Sequence, residues 1–229
     1  MNQKTLEEYS VPISIVIAGV IIAGAIMFSG GGILGSPTAF GNNLSQIANN
    51  VNPVNEMDHI KGNPSAEVSI IEFSDYECPF CQRVHSTLNQ IVEDFDGEVK
   101  WIYRHFPLTS IHSNAFSAGV AGECVAQLGG NESFWNFTEQ LFASQDSLSE
   151  ALYEDIASSN GIQADALKKC MGESRIREIV QDQTQNAIDS GGRGTPYVIV
   201  VNKKGETFPF SGALPYEQIR TIIQSAIRN

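Results

Sequence analysis

The chain has 229 residues, 42% of them hydrophobic, enough to bury one substantial domain with appendages and too little for two large ones. Fourteen basic against 26 acidic side chains leave a formal net charge of -12, so neither a nucleic-acid backbone nor an anionic lipid surface would attract it. Its four cysteines are too few for a disulfide-dense miniature fold and must act singly or as one or two pairs.

Between Tyr9 and Asn55 no side chain is charged, and within that stretch Val11 to Phe28 reads VPISIVIAGVIIAGAIMF. At ~1.5 Å per residue a helix over this run reaches roughly 27 Å, just short of the ~30 Å hydrocarbon layer, and Ser29 to Leu34 could add the missing turn. Residues 11–34 are therefore expected to form a single transmembrane anchor, preceded by a cytoplasmic segment, 1–10. A cleavable signal peptide is the alternative. The length of the run, the non-basic MNQKTLEEYS before it and the lack of a clean A-x-A site after it favour retention. Lys4 and the amino terminus favour an N-inside orientation, which would put the rest of the chain outside the cytoplasm. Residues 35–57, rich in Gly, Ser, Pro and Asn, read as a flexible linker. The folded domain is expected over 58–229.

Val68 to Phe73 (VSIIEF) is a β-branched apolar run suited to a buried strand, and Cys78 to Phe95 then carries apolar residues at helical spacing (Val84, Leu88, Ile91, Val92, Phe95). Val99 to Arg104 forms a second strand. Helical segments follow at Ala115–Leu128, Phe134–Ser144, Ser149–Asn160, Ala164–Met171 and Ser174–Ser190. Val198–Asn202 and Thr207–Phe210 pair around the Lys203-Lys204-Gly205 turn, and Tyr216–Arg228 closes as a helix. The order is β-α-β, a helical block over about 109–190, then β-β-α, which describes an α/β fold interrupted by an α-helical insertion.

Cys78-Pro79-Phe80-Cys81 stands where the first strand hands over to a helix, the setting in which C-x-x-C is redox-active. Proline suits the first helical position because its missing N–H would be unbonded there anyway. Cys78 is thus placed at the helix N-terminus, where free N–H groups and the dipole favour a thiolate. Cys81, one turn in, is the natural resolving thiol. A zinc site would need two more clustered ligands. Cys124 and Cys170 stand alone and there is no H-x-x-x-H, so no metal is expected.

The runs Asp58-His59-Ile60-Lys61-Gly62-Asn63-Pro64, Ile71-Glu72-Phe73-Ser74-Asp75-Tyr76-Glu77-Cys78-Pro79-Phe80-Cys81, Arg104-His105-Phe106-Pro107-Leu108 and Gly194-Thr195-Pro196 resemble the DsbA-like thioredoxin-fold oxidoreductases, especially their membrane-anchored or secreted branch. The resemblance implies a thioredoxin fold with a helical insertion over essentially Asp58 to Asn229. It implies Cys78 as nucleophile, Cys81 as its internal partner and Pro196 as a cis-proline facing them, with Thr195 before it. Pro79, Phe80, Thr195 and Pro196 would then line the substrate site, where the backbone beside the cis-proline can pair with an extended segment. Glu72, six residues before Cys78, matches the acid that this fold often keeps behind the disulfide. Desolvated there, it would have a raised pKa and could exchange a proton with Cys81; facing outward, it would titrate normally. Asp75 and Glu77 read as solvated loop acids. His59, His85, His105 and His112 read as capping or packing groups, and Trp101 and Trp135 as core or pocket wall.

Phe80 supplies no positive charge beside the thiolate, so a weaker oxidant is expected than from a relative with histidine between its cysteines. No cofactor beyond the Cys78–Cys81 pair is expected. The expected partners are thiol- or disulfide-containing secreted proteins and a membrane quinone-linked reoxidising enzyme, the latter on the family resemblance alone. A reductase or isomerase of the same fold, and a tethered non-catalytic binding protein or chaperone, are the alternatives. Two free thiols in an oxidising compartment invite mispairing, so Cys124 and Cys170 are expected to form a structural disulfide. Some DsbA-like relatives carry a second pair in this region, while two buried, reduced cysteines are the alternative.

Overall fold

The computed structural model describes residues 46–229. The expected cytoplasmic segment, the transmembrane anchor over 11–34 and the linker up to residue 45 lie outside the described residues. Among the described residues no helix is long and apolar enough to cross a membrane.

Five strands form one sheet: β1 (His59–Gly62), β2 (Val68–Ser74), β3 (Val99–His105), β4 (Tyr197–Val201) and β5 (Thr207–Ser211), in the order β1-β3-β2-β4-β5. Strands β2 and β3 run parallel, with Val68 opposite Val99, and the helix α1 (Pro79–Asp94) makes the crossover between them. The other three pairings, β1 with β3, β4 with β2 and β5 with β4, are antiparallel. Every residue of β2 is buried, as a central strand covered on both faces must be, and this is why its sequence carries no polar alternation. The short edge strand β1, HIKG, has no apolar run to announce it.

Between β3 and β4 come α2 (Ala115–Ala143), a 3-10 turn (Gln145–Ser147), α3 (Glu150–Ser159), α4 (Ala164–Met171) and α5 (Ser174–Asp189); α6 (Tyr216–Arg228) ends the chain. The two helices expected at 115–128 and 134–144 are both present: the span α2 is two helices that meet at a kink at Gly130, where the backbone is not helical. The φ of +82° there is readily adopted only by glycine.

Side chains alternate across the sheet. Val68, Ile70, Trp101, Tyr103, Val198 and Val200 face a core shared with α1, α6 and the helical block, while Ile71, Phe73, Ile102, Tyr197 and Ile199 meet a smaller core that includes Ala187 of α5. The second face is closed by residues 46–57, which corrects the expectation of a flexible linker up to residue 57. Ala48 is buried in this smaller core, with Val51 and Val54 packed against it. Backbone contacts hold the segment down: Asn52 N donates to Asn186 Oδ1 at 3.1 Å, and Asn186 Nδ2 donates to Asn50 O at 3.0 Å. Arg104 clamps the same segment. Its guanidinium donates to both carboxylate oxygens of Asp58 at 2.8 and 2.9 Å, to Asn52 O at 2.9 Å and to Pro53 O at 3.2 Å. Over 46–57 the Asn content that suggested a linker instead supplies backbone and amide groups to a packed strap.

Candidate active site

Helix α1 begins at Pro79, leaving Cys78 as its N-cap in extended backbone conformation. Asparagine, serine or aspartate would use a side-chain oxygen there. Cysteine offers only sulfur, and no side-chain cap bond forms. Cys78 is nearly covered, at 4% exposed, whereas Phe80 beside it is 50% exposed. The Thr195–Pro196 peptide bond is cis, and the Cys78 thiol donates to Thr195 O at 3.4 Å. Cys78, Phe80, Thr195 and Pro196 are thereby brought to one place from positions more than a hundred residues apart.

Cys81 is wholly buried, and its sulfur accepts a hydrogen bond from the Asp75 backbone N–H at 3.4 Å. Environment separates the two thiols. A hydrogen bond from Cys81, aided by Thr195 and the backbone N–H groups of Cys81 and Phe80, outweighs burial and draws Cys78 down to about 6. Burial and the neighbouring Cys78 and Glu72 hold Cys81 well above the ordinary thiol range. One cysteine is a ready nucleophile at neutral pH, and the other is a thiol that must lose its proton before it can attack.

Glu72 is fully buried beneath this pair, on the β2 face shared with Trp101. Its carboxyl accepts from Ser74 Oγ at 2.6 Å and from Trp101 Nε1 at 3.0 Å. Burial dominates over these two stabilising bonds, and the carboxyl is pushed up to about 8. The outward-facing reading of Glu72 is therefore excluded.

The Thioredoxin_4 family, described as thioredoxin, matches residues 54–225. The chain belongs to this family. Among solved structures it is similar to the thiol-disulfide exchange protein alpha-DsbA2 of Wolbachia pipientis, with a TM-score of 0.71 and 20% identity over 83% of this chain and 99% of that one. The oxidised BdbD of Bacillus subtilis superposes with a TM-score of 0.68 at 24% identity, covering 77% of this chain and 96% of that one. These likenesses establish the DsbA-like form of the fold. A curated relative, the Na(+)/H(+) antiporter NhaA 1 of Mycolicibacterium gilvum, is 32% identical over 160 residues, which are 69% of this chain and 25% of that protein. The chain thus spans about a quarter of the length of the curated relatives that it matches.

In this thioredoxin-family chain the helical block grips the active-site loop directly. Gln145 Nε2 donates to Tyr76 O at 2.7 Å and to Cys78 O at 2.9 Å, and the Asn114 backbone N–H donates to Glu77 Oε2 at 2.6 Å. Asp75 is not the solvated acid expected of it. At 1% exposed, it accepts from the Leu108 N–H at 2.7 Å and pairs with His112 Nδ1 at 2.8 Å. Glu77, tied to Asn114, is half-buried rather than free. Acids in a polar S-D-Y-E loop look exposed until the loop after β3 folds over them.

The histidines lie in the framework. His59 and His105 each approach Glu123 Oε1 at 3.1 Å, and His85 packs against the edge of Trp101. Burial raises the Glu123 carboxyl, but His59 and His105 more than offset this and leave it at about 2. Trp101 and Trp135 are buried, with ring centroids 4.6 Å apart. Cys124 of α2 and Cys170 of α4 are joined by a disulfide with Cα atoms 5.7 Å apart. That bond occupies both sulfurs, so they are unavailable to complete a four-thiolate site with Cys78 and Cys81. Sequence reasoning passed over Ser74 and Gln145. A serine two residues after the buried acid was the available signal for the first; nothing local marks the second.

Proposed function

We propose that this chain is a thiol-disulfide oxidoreductase acting outside the cytoplasm, working mainly as an oxidant of thiol-containing secreted proteins through Cys78 and Cys81. The observation that carries this reading is the division between the two thiols. Cys78, at the helix N-terminus, is drawn down to about 6, and Cys81 is buried and held high. Stabilising the Cys78 thiolate stabilises the reduced protein, which makes the disulfide the more oxidising form. A substrate thiolate attacks Cys78 of the disulfide, Cys81 departs, and a second substrate thiol resolves the mixed disulfide to leave the pair reduced. The half-exposed Phe80 and the backbone beside Pro196 border the thiol that substrate must reach.

The Cys124–Cys170 bond supports an oxidising compartment. The apolar run over 11–34 supports a single-pass anchor at the cell membrane, and a quinone-linked membrane enzyme is the proposed reoxidant. The test combines two measurements. Equilibrated with glutathione, the pair should be more oxidising than a cytosolic reductant of about -270 mV. Cys81→Ser should accumulate mixed disulfides with disulfide-containing peptides, its Cys78 thiolate attacking the peptide disulfide and expelling one peptide thiolate, while Cys78→Ser should form none. A potential at or below that of the reductant, or equal trapping by both variants, would overturn the reading.

A further inference from the structure

Asp75 touches both redox cysteines through its backbone. Its N–H donates to Cys81 Sγ at 3.4 Å, the one backbone donor on that sulfur among the described residues, and its carbonyl accepts from the Cys78 N–H at 3.1 Å. Its side chain is wholly buried, and three groups converge on the two carboxyl oxygens. The Glu77 N–H donates to Oδ1 at 2.8 Å, while the Leu108 N–H and His112 Nδ1 meet Oδ2 at 2.7 and 2.8 Å. The Ile111 and His112 N–H groups both donate to Leu108 O at 3.0 Å, so the two partners of Oδ2 arrive together on one closed turn. The Asp75 peptide is thus fixed from one side by the active-site loop and from the other by the segment after β3.

We propose that the Asp75 N–H is the donor that stabilises the Cys81 thiolate as it departs, and that the Asp75 carboxyl and His112 are positioning groups that hold this N–H on the sulfur. The proposal rests on the Cys78–Cys81 redox reading above. When a substrate thiolate attacks the disulfide, a bond forms between the substrate sulfur and Cys78 Sγ. The Cys78–Cys81 bond breaks, and its electron pair departs on Cys81. That sulfur is wholly buried, so the new charge is denied bulk solvent, and desolvation opposes it. An N–H already aimed at the sulfur needs no reorganisation, and its bond strengthens as the charge develops. The thiolate then becomes a thiol by taking up a proton, which Glu72 holds at neutral pH. In the reverse step Cys81 gives the proton back, its thiolate attacks Cys78 Sγ under the same N–H, and the substrate sulfur leaves with the electron pair of its bond to Cys78.

Asp75→Asn isolates the positioning part. The residue keeps its size, but an amide has one acceptor oxygen where the carboxyl has two. Whichever way it turns, its NH2 group faces either the Glu77 N–H or the Leu108 N–H, and the peptide must shift to relieve the clash. His112→Ala removes one of the three contacts and leaves the two backbone donors in place. His112→Asn can put an amide N–H where Nδ1 stood.

The test mixes the oxidised full chain rapidly with a reduced dithiol peptide and follows the mixed disulfide at Cys78 as it forms and as it releases the peptide. Outright loss of a donor of this kind costs about 100-fold or more, so Asp75→Asn should slow the step at least ~10-fold. Formation and the return attack by Cys81 should slow by the same factor, because a bond made chiefly to the charged sulfur lowers the barrier from both sides. The alkylation midpoint of Cys78 should not move. His112→Ala should lose less, and His112→Asn should recover most of that loss. A second measurement leaves Asp75 and His112 intact: in the Cys78→Ser protein, the Asp75 amide proton should move downfield as pH carries Cys81 to its thiolate. An amide proton that ignores the Cys81 titration, or an unchanged rate in Asp75→Asn, would overturn the assignment. So would a rate loss matched by a shifted Cys78 midpoint, since Asp75 would then act through the nucleophile. Complete absence of a mixed disulfide at wild-type Cys78 would overturn the redox reading itself, whatever the Asp75 amide shows.

Discussion

Replacing Glu72 by glutamine should stabilise the reduced protein, and by an amount that depends on pH. The fold holds this carboxyl at about 8, chiefly through burial, against an ordinary value of 4.5. The folded chain therefore keeps a proton that the unfolded chain gives up. Its contribution is fully present below pH 4.5, declines as pH rises, and is lost above pH 8. At ~1.4 kcal/mol per pH unit the whole interval is worth about 5 kcal/mol, and the part already lost at pH 7 about 3 kcal/mol. Glutamine cannot ionise, and it fits the same partners. Its carbonyl can accept from Trp101 Nε1 while its amide donates to Ser74 Oγ, which can accept as readily as it donates. Urea unfolding of both proteins under reducing conditions should give equal stabilities near pH 4 and a gap that opens to about 3 kcal/mol at pH 7. Taking the difference between the proteins cancels Cys78, whose lowered value acts with the opposite sign over pH 6 to 9. Parallel stability curves from pH 4 to 8 would refute the claim that burial holds Glu72 protonated.

Two further perturbations test the framework around the site. Converting Cys124 and Cys170 to alanine opens a loop whose ends are 46 residues apart in sequence; loop entropy then predicts a loss of about 4 kcal/mol, read by denaturant unfolding, with Cys78 alkylation unchanged. A loss below ~1 kcal/mol would show that the bridge contributes little to folding. Arg104→Leu strands Asp58, whose side chain is 3% exposed in the ion pair, and should cost about 3–5 kcal/mol. Hydrogen exchange should accelerate over residues 50–58, and Asp58→Asn on the same background should recover part of the loss; unchanged protection there would mean that the clamp does not hold the strap.

Much of the redox pair was legible locally. A strand, a loop and a helix opening on Cys-Pro are short-range features, and placing Cys78 at a helix N-terminus needs only the helical periodicity from Val84 to Phe95. The thiolate preference follows from that position. Glu72 was ambiguous because a strand buried on both faces has no alternation to tell which way a residue points. Pairing with β3 resolved it by bringing Trp101 within bonding distance of the carboxyl.

What the tertiary structure alone decided were the contacts made by residues far apart in the chain. Asp75 is buried because the segment at Leu108 and His112 closes over it, and Gln145 reaches the Cys78 carbonyl from the 3-10 turn that follows α2. The strap over 46–57 looked like a linker because its many asparagines carry no periodicity; it is ordered by Arg104 and Asn186, which lie 52 and 136 residues from the strap groups they bind. The sequence by itself determined the elements and the nucleophile, since both depend on neighbours within a few turns. Burial of Glu72, its hydrogen bond from Ser74 and the docking of the strap depend on which surfaces exclude water once the sheet has assembled, and one-dimensional patterns do not carry that information.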